Sequence, residues 1–318
     1  MAKVTPELAE LQLGLDRRVG AYRVLERIGQ GAIGEVYLAE QTTPVVRRVA
    51  LKVIKLGMDT REVIARFEAE RQTLAIMSHP SIAQIYDAGV TESGRPYFVM
   101  EHVPGIPLTE YCERHRCSLR SRLALFLEIC DGVQHAHQKG IIHRDLKPSN
   151  LLVAERDGRP VPKIIDFGVA KATAPGLQPS DAHTRLGHLI GTPEYMSPEQ
   201  AQLSPLDIDT RSDVYSLGVV LYQLLVGALP YRLTGDTATP AQIRHELLAS
   251  DIRAPSEVLR REPARSAAMA AQCATTPRSL LRAVRGDLDW IVLKALEKDR
   301  NQRYPSVSGF AADVQRHL

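Results

Sequence analysis

The chain has 318 residues, 44% of them apolar and 24% charged, with a formal net charge of +3. That balance belongs to a globular protein of one large domain or two lobes, and the near-neutral charge argues against a dedicated nucleic-acid binder. Four cysteines (Cys112, Cys117, Cys130, Cys273) make no disulfide framework in a chain this long, and no second ligand pair completes a zinc site with Cys112 and Cys117. They read as reduced thiols of a cytoplasmic protein.

Residues 1–20 are polar and irregular, a flexible lead-in without the apolar core of a signal peptide. From Tyr22 the pattern alternates. Tyr22–Ile28 and Glu35–Ala39 read as two strands joined by a glycine turn, and Arg48–Ile54 as a third. Residues 61–77 change to a helical period, with Val63, Ile64, Phe67, Leu74 and Met77 on one side. Ile82–Tyr86 and Tyr97–Glu101 return to strand. After Pro107 the texture becomes helical, with an amphipathic helix over Leu119–Lys139 and a strongly apolar one over Asp213–Leu225. The apolar stretch Leu217–Pro230 is too short to span a bilayer and reads as a buried helix. Residues 254–285, rich in Ala, Arg, Ser and Pro, read as an inserted loop with some helix. The expectation is an α+β protein: a small β-rich lobe with one helix over about 21–103, a larger helical lobe over about 104–318, and a ligand cleft between them.

Four segments carry chemistry. Ile28-Gly29-Gln30-Gly31-Ala32-Ile33-Gly34-Glu35-Val36 contains G-x-G-x-x-G, a weak signal alone because dinucleotide-binding folds share the spacing. Here the glycines lie between two strands, where bare backbone N–H groups can approach phosphate oxygens. Lys52, in a strand with apolar neighbours, can bind phosphate as a point charge; Glu70 in the following helix is its candidate partner, with Glu68 as rival. Ile142-His-Arg-Asp-Leu-Lys-Pro-Ser-Asn150 is the most specific segment: Asp145 can accept a hydroxyl proton, Lys147 can neutralise a transferring phosphoryl group, and Asn150 can offer an oxygen to a metal. Sixteen residues later stands Asp166-Phe167-Gly168, whose aspartate supplies a second metal ligand.

Together these motifs, in this order, resemble the eukaryotic-type protein kinase family over residues 20–318. The resemblance implies a two-lobed kinase fold, ATP and Mg2+ as cofactors (with Mn2+ as a substitute), and transfer of the γ-phosphoryl group to protein hydroxyls. Position by position, it implies that Asp145 is the catalytic base and that Lys147 contacts the γ-phosphate. Asn150 and Asp166 hold the metal. Lys52 holds the α- and β-phosphates and pairs with Glu70, and the glycine loop covers the phosphates. Val36, Ala50 and Leu152 sandwich the adenine, Met100 backs its pocket, and Glu101 and Val103 supply hinge hydrogen bonds. Gly191–Glu199 matches the substrate-docking end of the activation segment, with Ser197 where the family usually has alanine. This departure, like Gln200-Ala201 after it, looks like the bacterial branch. Asp213 matches a buried acid bracing the catalytic loop, and Arg303 the partner of Glu199.

Lys147 and its context, with Thr192 able to bridge Asp145 and Lys147, resemble the serine/threonine subclass. Arg144 matches an arginine that binds an activation-segment phosphate; Thr184 is the favoured site, with Thr173 and Ser180 as candidates. Bacterial relatives suggest autophosphorylation in trans through a homodimer. The chain itself is expected to touch neither nucleic acid nor membrane, although a longer parent protein could carry an anchor beyond residue 318. Ser149 and Pro107 stand where strictly basophilic kinases place acids, which argues against that selectivity. The alternative reading is a pseudokinase scaffold that binds nucleotide without turnover; the presence of Lys52, Asp145, Asn150 and Asp166 argues against it. A small-molecule kinase would lack the docking segment.

Overall fold

The computed structural model describes residues 18–31, 34–54, 77–167, 193–202, 208–231 and 240–318, in two units between which the chain passes at Pro104 and Gly105. The expected helix over residues 61–77 lies outside the described residues, apart from the buried Met77.

The first unit is one antiparallel sheet. Its strands are β1 (Arg18–Val19), β2 (Tyr22–Gln30), β3 (Gly34–Gln41), β4 (Arg47–Ile54), β5 (Ile85–Val90) and β6 (Pro96–Glu101), ordered β1-β2-β3-β4-β6-β5. The sheet therefore begins at Arg18, inside the segment read as a lead-in. The strand expected at Ile82 starts at Ile85 instead, because His79, Pro80 and Ser81 turn the chain and Ile82 N–H bonds back to the His79 carbonyl.

Strand pleating divides this sheet into two chemically different faces. Val19, Tyr22, Val24, Tyr37, Ala39, Val49, Leu51, Val53, Tyr97 and Val99 form one apolar cluster. The alternate residues fall on the other face. Val36 pairs with Lys52 and Lys52 with Phe98, while Leu38 pairs with Ala50 and Ala50 with Met100.

In the second unit, β7 (Ile106–Pro107), β8 (Leu151–Arg156) and β9 (Arg159–Ile164) form a small sheet, and the rest is helical. The helices described are α1 (Leu108–Arg114), α2 (Leu119–Gln138), α3 (Pro198–Ala201), α4 (Thr210–Val226), α5 (Pro240–Ala249), α6 (Pro255–Arg261), α7 (Pro263–Gln272), α8 (Pro277–Val284), α9 (Asp287–Ala295) and α10 (Val307–His317). Ser118 caps α2 by accepting the Ser121 N–H, and Asp209 caps α4 by accepting that of Arg211. Gly227 ends α4 at φ 71°, a conformation glycine adopts without penalty. From Ser212 to Val226 every residue of α4 except Gln223 is buried, so it forms the axis of this unit. Each fully buried leucine or valine there contributes about 1.5–3 kcal/mol. Phe126 of α2 meets Phe310 of α10 edge-on at 5.5 Å.

Residues 254–285 form three short helices rather than a loop. Pro255, Pro263 and Pro277 each open a helix, the position where a missing N–H costs nothing. Leu259, Met269, Leu280 and Val284 are buried. The thiols there and nearby belong to packing: all four cysteines are free, and burial pushes Cys112 up to about 12 and raises Cys273.

Candidate active site

The glycine hairpin is built by register. Gly29 pairs with Val36 and Gln30 with Glu35, and the Gly31 N–H closes on the Gly34 carbonyl at 2.9 Å. Gly34 must be glycine, since a Cβ there would stand 2.4 Å from the Val53 carbonyl oxygen. Val36, Ala50, Lys52 and Met100 share one sheet face, as their proposed nucleotide contacts require, and Lys52 is buried. Glu35 points to the opposite face. Its carboxylate accepts Arg27 Nη1 at 3.1 Å and the Tyr37 hydroxyl at 2.8 Å, so only its backbone belongs to the loop. At the end of β6 the Glu101 N–H donates to the Gln84 carbonyl at 2.8 Å, and Val103 is buried. Ala32, Ile33 and Glu70 lie outside the described residues.

In the second unit, the segment 143–150 folds around Asp145. Lys147 Nζ stands 2.9 Å from Asp145 Oδ2, and Asn150 Nδ2 donates to the same oxygen at 3.1 Å and to the Asp145 carbonyl at 2.7 Å. Both side-chain contacts fall on Oδ2; Oδ1 takes no hydrogen bond among the described residues. The Asn150 amide nitrogen is committed to Asp145, which leaves its Oδ1 as the atom that can meet a cation. The Ile165 N–H donates to the Asn150 carbonyl at 2.9 Å, tying β9's exit to the same turn, and Asp166 follows at φ 65°. For an aspartate that left-handed backbone costs on the order of 1–2 kcal/mol, and it is sustained here by the packing of its neighbours. Asn150 and Asp166 are both hard oxygen donors, and among the described residues no cluster of three or more His, Cys, Asp or Glu could hold a metal. Two protein oxygens suit a cation that takes its remaining ligands from phosphate and water. On β8, Leu152 is half-buried while Leu151 and Val153 on the other face are buried.

Support comes from Asp213 at the start of α4. Its Oδ2 accepts His137 Nε2 at 2.7 Å and the His143 N–H at 2.8 Å, and its Oδ1 accepts the Arg144 N–H at 2.8 Å. Burial pushes this carboxyl up, but the His137 hydrogen bond, the nearby His137 and His143 rings and the Arg144 N–H outweigh it and hold the group below its ordinary range. The Asp145 N–H points at His143 Nδ1 (3.3 Å), so the proton sits on Nε2, which donates to the Ile165 carbonyl at 3.0 Å. The His143 ring packs on Phe167 at 4.6 Å. Arg144 itself adopts φ 69°, and its buried Nε finds no acceptor among the described residues.

Further along, Glu199 and Arg303 form a bidentate pair at 2.8 Å for each oxygen. Burial raises Glu199, and the Arg303 hydrogen bonds and charge more than reverse that, leaving it low. Ser197 caps α3 reciprocally with Gln200.

A protein kinase domain model matches residues 22–312. The chain belongs to the protein kinase domain family. Among its curated relatives are the serine/threonine-protein kinase Pkn1 of Myxococcus xanthus, 35% identical over 94% of this chain, and PknB of Mycobacterium tuberculosis, 35% identical over 93%. The chain spans 38% and 42% of the lengths of those two proteins. The Mycobacterium tuberculosis PknI kinase domain superposes with a TM-score of 0.65, covering 96% of this chain and 99% of that one at 24% identity. The fold is thus the two-lobed α+β protein kinase fold, in a chain of the bacterial serine/threonine branch. Family membership implies binding of ATP and use of a divalent metal. Among the described residues no helix is long and apolar enough to cross a membrane.

Within this kinase domain, the segment around Asp145 brings Lys147, Asn150 and the base candidate together as the motif implies. Thr192, Thr184, Thr173 and Ser180 lie outside the described residues. Sequence pattern does not reveal His137 on Asp213, Ser212 on Glu199 or Phe167 against His143. His137 lies six residues before His143 in a helix, and no local pattern distinguishes it from a surface histidine.

Proposed function

We propose that this chain is a serine/threonine protein kinase catalytic domain transferring the γ-phosphoryl group of Mg-ATP to hydroxyls of protein substrates in bacterial signalling. One observation carries the reading: Asp145 Oδ2 is held jointly by Lys147 and Asn150, and Oδ1 carries no hydrogen bond among the described residues. A carboxylate fixed through one oxygen can use the other to orient a substrate hydroxyl and accept its proton. The hydroxyl oxygen then bonds to the γ-phosphorus, the bond to the β–γ bridging oxygen breaks, and ADP leaves with that electron pair. Lys147 stabilises charge on the transferring group. Lys52 and the backbone of the glycine hairpin orient the phosphates. Asn150 Oδ1 and Asp166 would hold Mg2+ (or Mn2+), which supplies charge neutralisation at the phosphate oxygens. Val36, Ala50, Met100 and Leu152 supply apolar surface for adenine, with the Glu101 and Val103 backbone beside it.

The Arg144 Nε, without an acceptor among the described residues, supports a regulatory role, since an anion such as a phosphorylated Thr184 would complete its hydrogen bonding. Autophosphorylation in trans within a homodimer, and a cytoplasmic setting, belong to the same proposal.

The test is transfer of labelled γ-phosphate from Mg-ATP to the protein and to a generic basic protein, beside Asp145→Asn. Phosphoserine or phosphothreonine from the parent, and a loss of roughly 100-fold or more in the variant, is the expected result. Equal labelling would remove Asp145 from its role; ATP binding with no transfer by the parent would favour a nucleotide-binding scaffold.

A further inference from the structure

The motif Ser197-Pro-Glu-Gln200 contains one side chain that the proposed chemistry leaves unused. Gln200 Nε2 donates to the Arg144 carbonyl at 2.7 Å across 56 positions of sequence. Its Oε1 accepts from the Ser197 N–H and the Ser197 hydroxyl, both at 3.0 Å. This network fixes the orientation of the amide, because the flipped form would set donors against donors at Ser197 and oxygen against oxygen at Arg144.

The carbonyl that Gln200 holds belongs to the peptide joining Arg144 to Asp145. The N–H of that peptide is aimed at His143 Nδ1 at 3.3 Å, and the preceding N–H, that of Arg144, donates to Asp213. Arg144 adopts φ 69°, which a residue with a side chain holds only when its surroundings over-determine it. Asp213 fixes one side of this residue and Gln200 the other. The direction in which the Asp145 side chain leaves the backbone follows from that turn.

We propose that Gln200 is a positioning residue for the catalytic aspartate, linking the docking-segment helix α3 to the peptide that aims Asp145. The proposal rests on the phosphotransfer reading above for its kinetic consequence, but the contact itself is testable without turnover. α3 is also fastened, through the adjacent Glu199, to Arg303. Hydrogen bonds made by Glu199 and Gln200, neighbours in α3, thus connect Arg303 on one side to the Arg144 carbonyl on the other.

Gln200→Glu separates capping from positioning. A glutamate at this place completes the Ser-x-x-Glu capping box at least as well as glutamine does, so α3 keeps its cap. It cannot donate to the Arg144 carbonyl and sets an oxygen against it. In the whole chain, the expected result is kcat reduced by roughly 10-fold, with KM for ATP within about twofold. Amide hydrogen exchange over residues 142–146 should be several-fold faster. Gln200→Met, which loses both functions, should lower kcat at least as far. Unchanged kcat and unchanged exchange in both variants would overturn the proposal, as would a kcat loss tracked by equal loss of ATP affinity. A parent chain without phosphotransfer would sink the catalytic reading alone; exchange over residues 142–146 would then decide whether Gln200 holds the peptide.

Discussion

Arg303 and Glu199 lie 104 positions apart in sequence, yet they form a buried bidentate pair with both N···O distances at 2.8 Å. The remaining guanidinium donors are also used: Arg303 bonds the carbonyls of Glu297, Arg211 and Lys298. Ser212 donates to the same carboxylate at 2.6 Å. Arg303→Met would leave Glu199 buried and unpaired. The expected cost is about 3–5 kcal/mol, measured by chemical denaturation, with Arg303→Lys losing less but still more than a surface substitution.

Acid should weaken the fold through two carboxylates. Glu199 and Asp213 are both held low in the folded state, so the folded protein binds fewer protons than the unfolded chain as pH falls toward 4. Stability from these groups is fully present above the ordinary carboxylate range. It is lost as pH drops through the folded-state values, below about 4.5. Denaturation midpoints between pH 3 and 6 should fall steeply below that point. In Glu199→Gln the slope should be shallower; an unchanged slope would mean that this carboxylate is not linked to folding.

Gly34→Ala should damage the hairpin specifically. The new Cβ would meet the Val53 carbonyl, a backbone atom that can yield only if β3 and β4 separate. A loss of about 1–3 kcal/mol is expected, together with weaker ATP binding by calorimetry. Stability and affinity equal to the parent would show that the strands part freely.

Asn150→Ala removes both the oxygen proposed for the metal and the hold on Asp145. Phosphotransfer should fall by roughly 100-fold, and the Mg2+ concentration for half-maximal rate should rise. A reduced rate with an unchanged Mg2+ requirement would restrict Asn150 to orienting Asp145.

Arg122 is buried with a positive charge, and its guanidinium donates to backbone carbonyls. It donates to Cys117 at 3.0 Å, Leu224 at 3.3 Å, Cys112 at 3.4 Å and Gln272 at 3.5 Å. Three of these lie in the last turns of α1, α4 and α7, where carbonyls lack helical partners and the helix dipole is negative. Arg122→Met should cost about 3 kcal/mol and lower the melting temperature by roughly 5–10 °C, with no change in the KM for ATP.

Much of the candidate site was legible because its groups are local. Asp145, Lys147 and Asn150 meet within one turn of chain, so their spacing alone brings them together. Lys52, Val36, Ala50 and Met100, named through the family resemblance, share one face because strand pleating has a period of two. The same rule put Glu35 on the opposite face, where Arg27 and Tyr37 occupy it. Residues 254–285 misled because proline reads as a loop signal, although at the first position of a helix it favours the turn.

Chemical identity and local geometry were therefore determined by the sequence: the glycine hairpin, Asp145 with its lysine and asparagine, the buried axis of α4. Tertiary structure alone decided what holds them. The contacts of Gln200 with Arg144, Asp213 with His137 and Arg122 with three helix ends join residues far apart in the chain. No periodicity encodes such pairs. They form because buried carbonyls, carboxylates and guanidinium groups must find partners once water is excluded, and which partner each meets depends on how the helices pack.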